Sequence, residues 1–265
     1  KRGGSRVSRV VVEIMFGDFV TLIADQLVNH ASKFRWIYND QVRVPVVVRT
    51  PMGGRRGYGP THSQSLEKMF LGVPGLRVVA PNTLGDPENL LAAAIADDDP
   101  VLFIEHKLLY TCPLLEQGKR DLIDFQVEQT VGAYPAFTLR PLESTQLTIT
   151  CYGYNFELAR AAALTLIMEH EIFVEIVLFS QLSPFDLEPL IPSLLRTRKL
   201  LTVEEGTLSL SWGAELAMRA AEEMDGLEIR RVAALDLPIA TAKSLEDAIL
   251  PSVQDIVNAA LSLVS

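Results

Sequence analysis

His62 stands between Thr61 and Ser63 in the stretch Arg55-Arg56-Gly57-Tyr58-Gly59-Pro60-Thr61-His62-Ser63-Gln64. Gly57, Gly59 and Pro60 forbid a helix there and demand a loop with unusual backbone angles. An imidazole passes protons near neutral pH, and a loop between rigid elements is a common place for chemistry. The apolar run 44–48 precedes this loop and the amphipathic run 65–70 follows it. On these residues alone, a surface turn with a solvated histidine is an equal explanation. A second feature is Asp97-Asp98-Asp99 at the end of an alanine-rich helical run. The last carbonyls of a helix are unpaired and partly negative, so acids there oppose the helix dipole and a cation would relieve them. A solvated acidic helix end is the more ordinary meaning of three adjacent aspartates. Cys112 and Cys151 are the only cysteines, with no CxxC spacing, so neither a zinc site nor a disulfide framework is indicated.

The 265 residues suffice for two ordinary domains, and 48% hydrophobic residues support packed cores. The formal charge of −9 argues against a nucleic-acid partner, which needs a concentrated basic face. Lys1, Arg2, Arg6 and Arg9 cluster at the start and read as a solvated terminus. No apolar run has the length of a membrane span and no signal peptide opens the chain, so a reducing, cytoplasmic setting is expected.

Those residues must be positioned by strands and helices that alternate. Val10-Val11-Val12, with Ile14 and Met15, is a β-branched strand, and Asp18 offers an N-cap to a helix with Phe19, Leu22, Ile23 and Leu27 on its apolar positions. Further strands are expected at 44–48, 76–79 and 101–104, with a helix starting at Asp86-Pro87. Residues 106–145 carry Pro113, Gly118, Gly132, Pro135 and Pro141 and read as a long connection with one short strand near 125–127. Strands then recur at 147–150, 173–179 (with alternating Phe173/Glu175 character), 200–203 and 229–233. Helices are expected over 155–169, after Asp186, over 212–223 and at the C-terminus, where Ser252 and Asp255 form a capping box. Unalternating apolar strands separated by helices predict two three-layer α/β/α domains with mostly parallel sheets. The expected division is 1–108, a linker over 109–145, and 146–265.

In this order the chain presents Val11-Val12-Glu13-Ile14-Met15-Phe16, Asp25-Gln26, Pro45-Val46-Val47-Val48-Arg49, Gly59-Pro60-Thr61-His62-Ser63-Gln64-Ser65 and Val73-Pro74-Gly75-Leu76-Arg77-Val78-Val79-Ala80-Pro81. As a set these resemble the β subunit of thiamine-diphosphate-dependent 2-oxo acid dehydrogenases of the pyruvate, branched-chain or acetoin type. The second half is similar to a transketolase C-terminal domain. The resemblance implies a pyrimidine-binding domain followed by that C-terminal domain. It also implies a heterotetramer in which β subunits self-associate, an α subunit carrying the pyrophosphate domain and its magnesium, and a lipoyl acyltransferase core as a further partner. The implied activity is oxidative decarboxylation of a 2-oxo acid with acyl transfer to lipoamide.

The resemblance also assigns residues. Phe19 takes the place of the aromatic that packs on the aminopyrimidine, and Met15 lines the same pocket; without the resemblance both are ordinary core residues. His62 takes the place of the loop histidine at the thiazolium end, handling protons and stabilising charge. Val46, Ala94, Ile95, Asp97 and Asp99 ring a monovalent cation such as potassium, mostly through backbone carbonyls. Glu204-Glu205-Gly206 matches a turn at the subunit interface, and Asp25 and Gln26 lie on a partner-facing helix. Glu105 and His106 receive no role.

Two family features are missing. No Gly-Asp-Gly motif occurs, so this chain alone is not expected to hold the diphosphate. No acidic residue precedes Glu13, whereas the family's pyrimidine-activating glutamate lies upstream of that strand, so the pyrimidine domain is expected to lack its start. A non-catalytic dimerising paralogue or fragment without cofactor, and a transketolase-type enzyme, are the alternative readings.

Overall fold

The computed structural model describes residues 8–115 and 125–265; Lys1, Arg2, Arg6 and Gly118 lie outside the described residues. Two mixed, mostly parallel sheets with helices build an α/β fold, as the strand pattern predicts.

The first sheet takes β1 (Val10–Glu13), β2 (Val46–Met52), β3 (Arg77–Val79) and β4 (Val101–His106), with α2 (Pro87–Ala96) connecting β3 to β4. The run expected as one helix from Asp18 is instead a 3-10 turn over Gly17–Ile23, a π-helical stretch over Gln26–Ala31 and α1 (Ser32–Ile37). Asp18 is not a solvated cap: it is buried, and its Oδ1 accepts from the Gln64 side chain at 2.8 Å. Asp86 does cap α2, accepting from the Glu88 N–H, with Pro87 at the first helical position.

The stretch read as a connection contributes two strands, β5 (Phe125–Gln129) and β6 (Phe137–Pro141), which pair antiparallel and extend the second sheet. Gly132 and Pro135 sit in the turn between these strands and Pro141 ends the second, so breakers flank each short strand. Then follow β7 (Leu147–Tyr152), α3 (Asn155–His170), β8 (Val174–Phe179), β9 (Gln181–Ser183), α4 (Ile191–Thr197), β10 (Lys199–Thr207), α5 (Trp212–Glu223), β11 (Glu228–Ala234), α6 (Lys243–Ile249) and α7 (Val253–Val264). The second sheet runs β11-β10-β7-β8-β6-β5. The first runs β1-β2-β4-β3-β9, so β9, which follows β8 in the chain, crosses over and pairs antiparallel with β3.

Both faces of the second sheet are covered. Ile149, Cys151, Ile176 and Leu178 pack with Phe156, Ala159 and Ala163 of α3 and with Ile256 and Ala260 of α7. Val177, Phe179 and Leu200 face the other way, into a core shared with Val48, Phe70 and Leu102 of the first unit and with Trp212 and Leu216 of α5. Alternate residues therefore meet different apolar layers, which is why the strands show no polar face. Glu175 is buried rather than alternating outward: burial would raise its carboxyl, but the bonds from Arg196, Ser193 and Thr145 hold it below the usual range.

Candidate functional site

The loop after β2 returns over the carboxyl ends of the first sheet's strands, the edge where parallel α/β sheets present chemistry. Its first residue, Gly53, has φ +93°, and a side chain there would strike the His106 Nε2 at 2.2 Å. Gly59, at φ +76°, lies where a Cβ would meet the Thr241 hydroxyl at 2.5 Å. Only glycine permits both the backbone angle and the approach.

This path delivers His62 to two aromatic rings. Its imidazole lies edge-to-face with Phe16 at 4.8 Å and with Phe19 at 5.3 Å, and Phe16 and Phe19 are themselves 6.2 Å apart. The Thr61 hydroxyl lies 3.0 Å from His62 Nδ1. Phe19 is 39% exposed beside this imidazole, and Met15, next to Phe16 in the chain, is 71% exposed. Phe19 and His62 are thus brought together; Met15 adjoins the same aromatic platform by sequence and makes no ring contact. On the residues next to Phe19 and His62 in the chain, Asp18 Oδ2 and Ser63 Oγ are buried with no hydrogen-bond partner. A buried oxygen in that condition calls for a donor.

Lys107, which the sequence did not single out, holds the loop from beneath. Its buried ammonium donates to the carbonyls of Gly53 (2.8 Å) and His62 and lies 5.3 Å from the Phe16 ring and 5.7 Å from that of Tyr58. Desolvation lowers its pKa, opposed by Asp18, Glu205 and Glu246.

Glu204 and Glu205 are not a turn. Both lie inside β10, buried where the two units meet. His106, given no role from sequence, points Nε2 at Glu205 (3.2 Å) while its Nδ1 accepts from the Leu108 N–H, so the proton belongs on Nε2. Its ring stacks on Tyr154 at 4.7 Å. Burial alone would raise the Glu205 carboxyl, but His106, Arg55 and the Gly54 N–H outweigh it and hold the group down at about 2. Glu204 goes the other way: burial pushes it up to about 7, against the Ser211 hydroxyl and the N–H groups of Gly213 and Trp212. The Glu67 carboxyl is also raised by burial while the Tyr152 hydroxyl donates to it. The adjacent acids in an otherwise apolar strand were the one available sign that buried partners existed.

At the expected cation site, the chain provides its own cation. Arg9 Nη1 donates to the carbonyls of Ile95 (2.9 Å) and Asp97 (2.6 Å), and Nη2 to Asp98. Arg43 also reaches Asp98, Arg35 and Arg77 reach Asp99, and Arg77 Nε lies 2.7 Å from Asp97. The Ala94 carbonyl accepts from the Asp97 N–H at 3.3 Å, and Val46 lies on the neighbouring strand β2. Four guanidinium groups therefore meet the three acids at the helix C-terminus, the charge balance a helix dipole favours. Among the described residues no group of His, Cys, Asp and Glu side chains has the make-up of a metal site.

Residues 4–113 match the family described as transketolase, pyrimidine binding domain, and residues 138–256 match transketolase, C-terminal domain. The chain is 34% identical over 256 residues to the mitochondrial pyruvate dehydrogenase E1 component subunit beta-2 of Oryza sativa subsp. japonica. That match covers 95% of this chain and 66% of the rice protein, just under two thirds of its length. It is 32% identical to the pyruvate dehydrogenase E1 component subunit beta of Rickettsia conorii, covering 95% of this chain and 74% of that one. It is 33% identical to the acetoin:2,6-dichlorophenolindophenol oxidoreductase subunit beta of Cupriavidus necator, covering 95% and 72%. Among solved structures, a split gene transketolase in an inactive beta4 tetramer superposes with a TM-score of 0.70 at 20% identity, over 96% of this chain and 76% of that one.

Proposed function

We propose that this chain, which belongs to the family of 2-oxo acid dehydrogenase β subunits that includes those pyruvate dehydrogenase and acetoin proteins, supplies the pyrimidine half of a thiamine diphosphate site and works only with an α subunit. The observation that carries the reading is the half-exposed Phe19 set edge-to-face against His62, with Phe16 beside both; the buried oxygens of the adjacent Asp18 and Ser63 add unpaired acceptors nearby in the chain. An aminopyrimidine fits such a place, because it offers a flat apolar ring and hydrogen-bond donors at its edge. Phe19 and Met15 would pack on that ring. When bound, the cofactor supplies a carbanion-stabilising centre for 2-oxo acid decarboxylation. The chain's own contribution is threefold. The aromatic platform orients the ring and excludes water from it. The His62 imidazole, supported by Thr61, holds or accepts a proton at the face where the acyl group leaves for lipoamide. Lys107 fixes the backbone on which that imidazole stands.

The diphosphate and its magnesium belong on the α chain, since this sequence has no Gly-Asp-Gly motif. Self-association of β subunits and docking to a lipoyl acyltransferase core complete the proposed assembly. A monovalent cation such as potassium at the helix end would compete with the Arg9 guanidinium for the carbonyls of Ile95 and Asp97.

The test is reconstitution with an α chain of the same family, this chain being joined to the upstream segment that carries the family's activating glutamate. The mixture should bind thiamine diphosphate in calorimetry and turn over a 2-oxo acid, while this chain alone does neither. The His62→Asn variant in the mixture should keep cofactor affinity and lose about 100-fold or more in lipoamide-dependent turnover. A mixture that assembles but takes up no cofactor would leave a non-catalytic dimerising protein as the reading.

A further inference from the structure

The loop that carries His62 is held as much by the second unit as by the first. Glu246 of α6 is buried, and both its carboxylate oxygens are spent on that loop: Oε1 accepts from the Arg55 N–H at 2.8 Å and Oε2 from the Gly57 N–H at 3.2 Å. Among the described residues its side chain makes no other hydrogen bond. The adjacent Gly54 N–H goes to Glu205 at 2.7 Å, so three amides of one short segment point at two acids of the other unit. Arg55 has φ +67°, a left-handed angle that costs energy for a residue with a side chain. Left-handed residues turn neighbouring N–H groups toward a common side, which makes a small anion cradle of the backbone. The Arg55 side chain closes the clasp, with Nε 3.2 Å from Glu205 and Nη2 donating to the Pro251 carbonyl at 2.6 Å.

We propose that Glu246 is a positioning residue: by gathering the Arg55 and Gly57 amides it sets the approach of His62 to Phe16 and Phe19. The catalytic meaning of this rests on the function proposed above; the positioning itself does not. The clasp divides the loop into two anchors. Lys107 grips the carbonyls of Gly53 and His62 from the first unit, and Glu246 grips the amides between them from the second. With Glu246 removed, the loop keeps its ends and loses its middle. A misplacement of that kind about 1 Å from the working geometry lowers a rate about 100-fold without unfolding anything.

The experiment reads the ring contacts by nuclear magnetic resonance on the full chain, with the His62 signals assigned from their disappearance in His62→Asn. In the native chain the imidazole protons show cross-relaxation to the Phe16 and Phe19 rings. In Glu246→Ala and Glu246→Gln those cross-peaks are lost, while the His106–Tyr154 stacking contact persists and certifies the fold. Should the alanine variant lose the His106–Tyr154 contact, the glutamine variant, which keeps the volume and one acceptor, decides. His62 cross-peaks unchanged in a folded variant overturn the proposal. In the reconstituted enzyme, Glu246→Gln should lower kcat about 10- to 100-fold with KM within about twofold. An unchanged kcat alongside lost cross-peaks overturns the catalytic meaning and leaves the positioning standing. A mixture that never binds cofactor sinks the proposed function but leaves the resonance result to judge Glu246.

Discussion

Neighbouring glutamates on one strand end in opposite states, and the difference lies in what each side chain reaches. Glu205 meets a guanidinium, an imidazole N–H and an amide, and is held at about 2. Glu204 meets only neutral donors, with Glu67 nearby, and is pushed up by burial to about 7. The signs follow. Glu205 releases its proton more readily folded than unfolded, so its contribution to stability is present above its ordinary 4.5 and is lost as pH falls toward 2. Glu204 keeps its proton more tightly folded than unfolded, so its contribution falls as pH rises from 4.5 to about 7. A protonated-carboxyl infrared band should therefore titrate at about pH 7 and vanish in Glu204→Gln. Absence of that band at about pH 6 would contradict the assignment. At this scale motif order singled out His62, Phe19 and Met15, of which folding brings His62 and Phe19 into ring contact. It did not yield His106, Lys107, Arg55 or Glu246, because their partners lie far along the chain and only folding brings them close.

The helices that were legible are those whose ends announce themselves. Asp86 with Pro87, and Ser252 with Asp255, place N-cap chemistry at the first turn, and both caps form. Asp86→Ala should cost about 1 kcal/mol in denaturant unfolding with the slope unchanged. A loss below about 0.3 kcal/mol would show that α2 is held by packing alone. Two elements were misread for physical reasons. The segment Gly17–Ile37 has helical apolar spacing, yet its backbone changes from 3-10 to π to α, because Asp18 is drawn inward to Gln64 and away from any cap. The β5–β6 ribbon is short and rich in breakers, so its pairing with β8 is visible only once β8 exists to pair with. Glu175 looked like the polar half of an alternating strand and is instead a buried carboxylate with four hydrogen-bond donors.

Across the whole molecule, the sheet content of each half was readable, but their union was not. One core joins Val48 and Leu102 of the first sheet to Phe179 and Trp212 of the second unit, and Tyr152 donates its hydroxyl across the seam to the buried Glu67. The chain should therefore unfold in a single transition, with tryptophan fluorescence and backbone circular dichroism coincident. Tyr152→Phe, which strips a buried acid of its donor, should lower stability by about 1–3 kcal/mol and leave the transition single. Two separated transitions in the native chain would disprove the union. Strand β9 adds a constraint of another kind. It departs from the second unit's polypeptide yet completes the first unit's sheet beside β3. Anyone splicing halves from two related genes would have to inherit Val78–Val79 and Gln181–Ser183 from a single parent, for the join between ancestries falls inside a sheet.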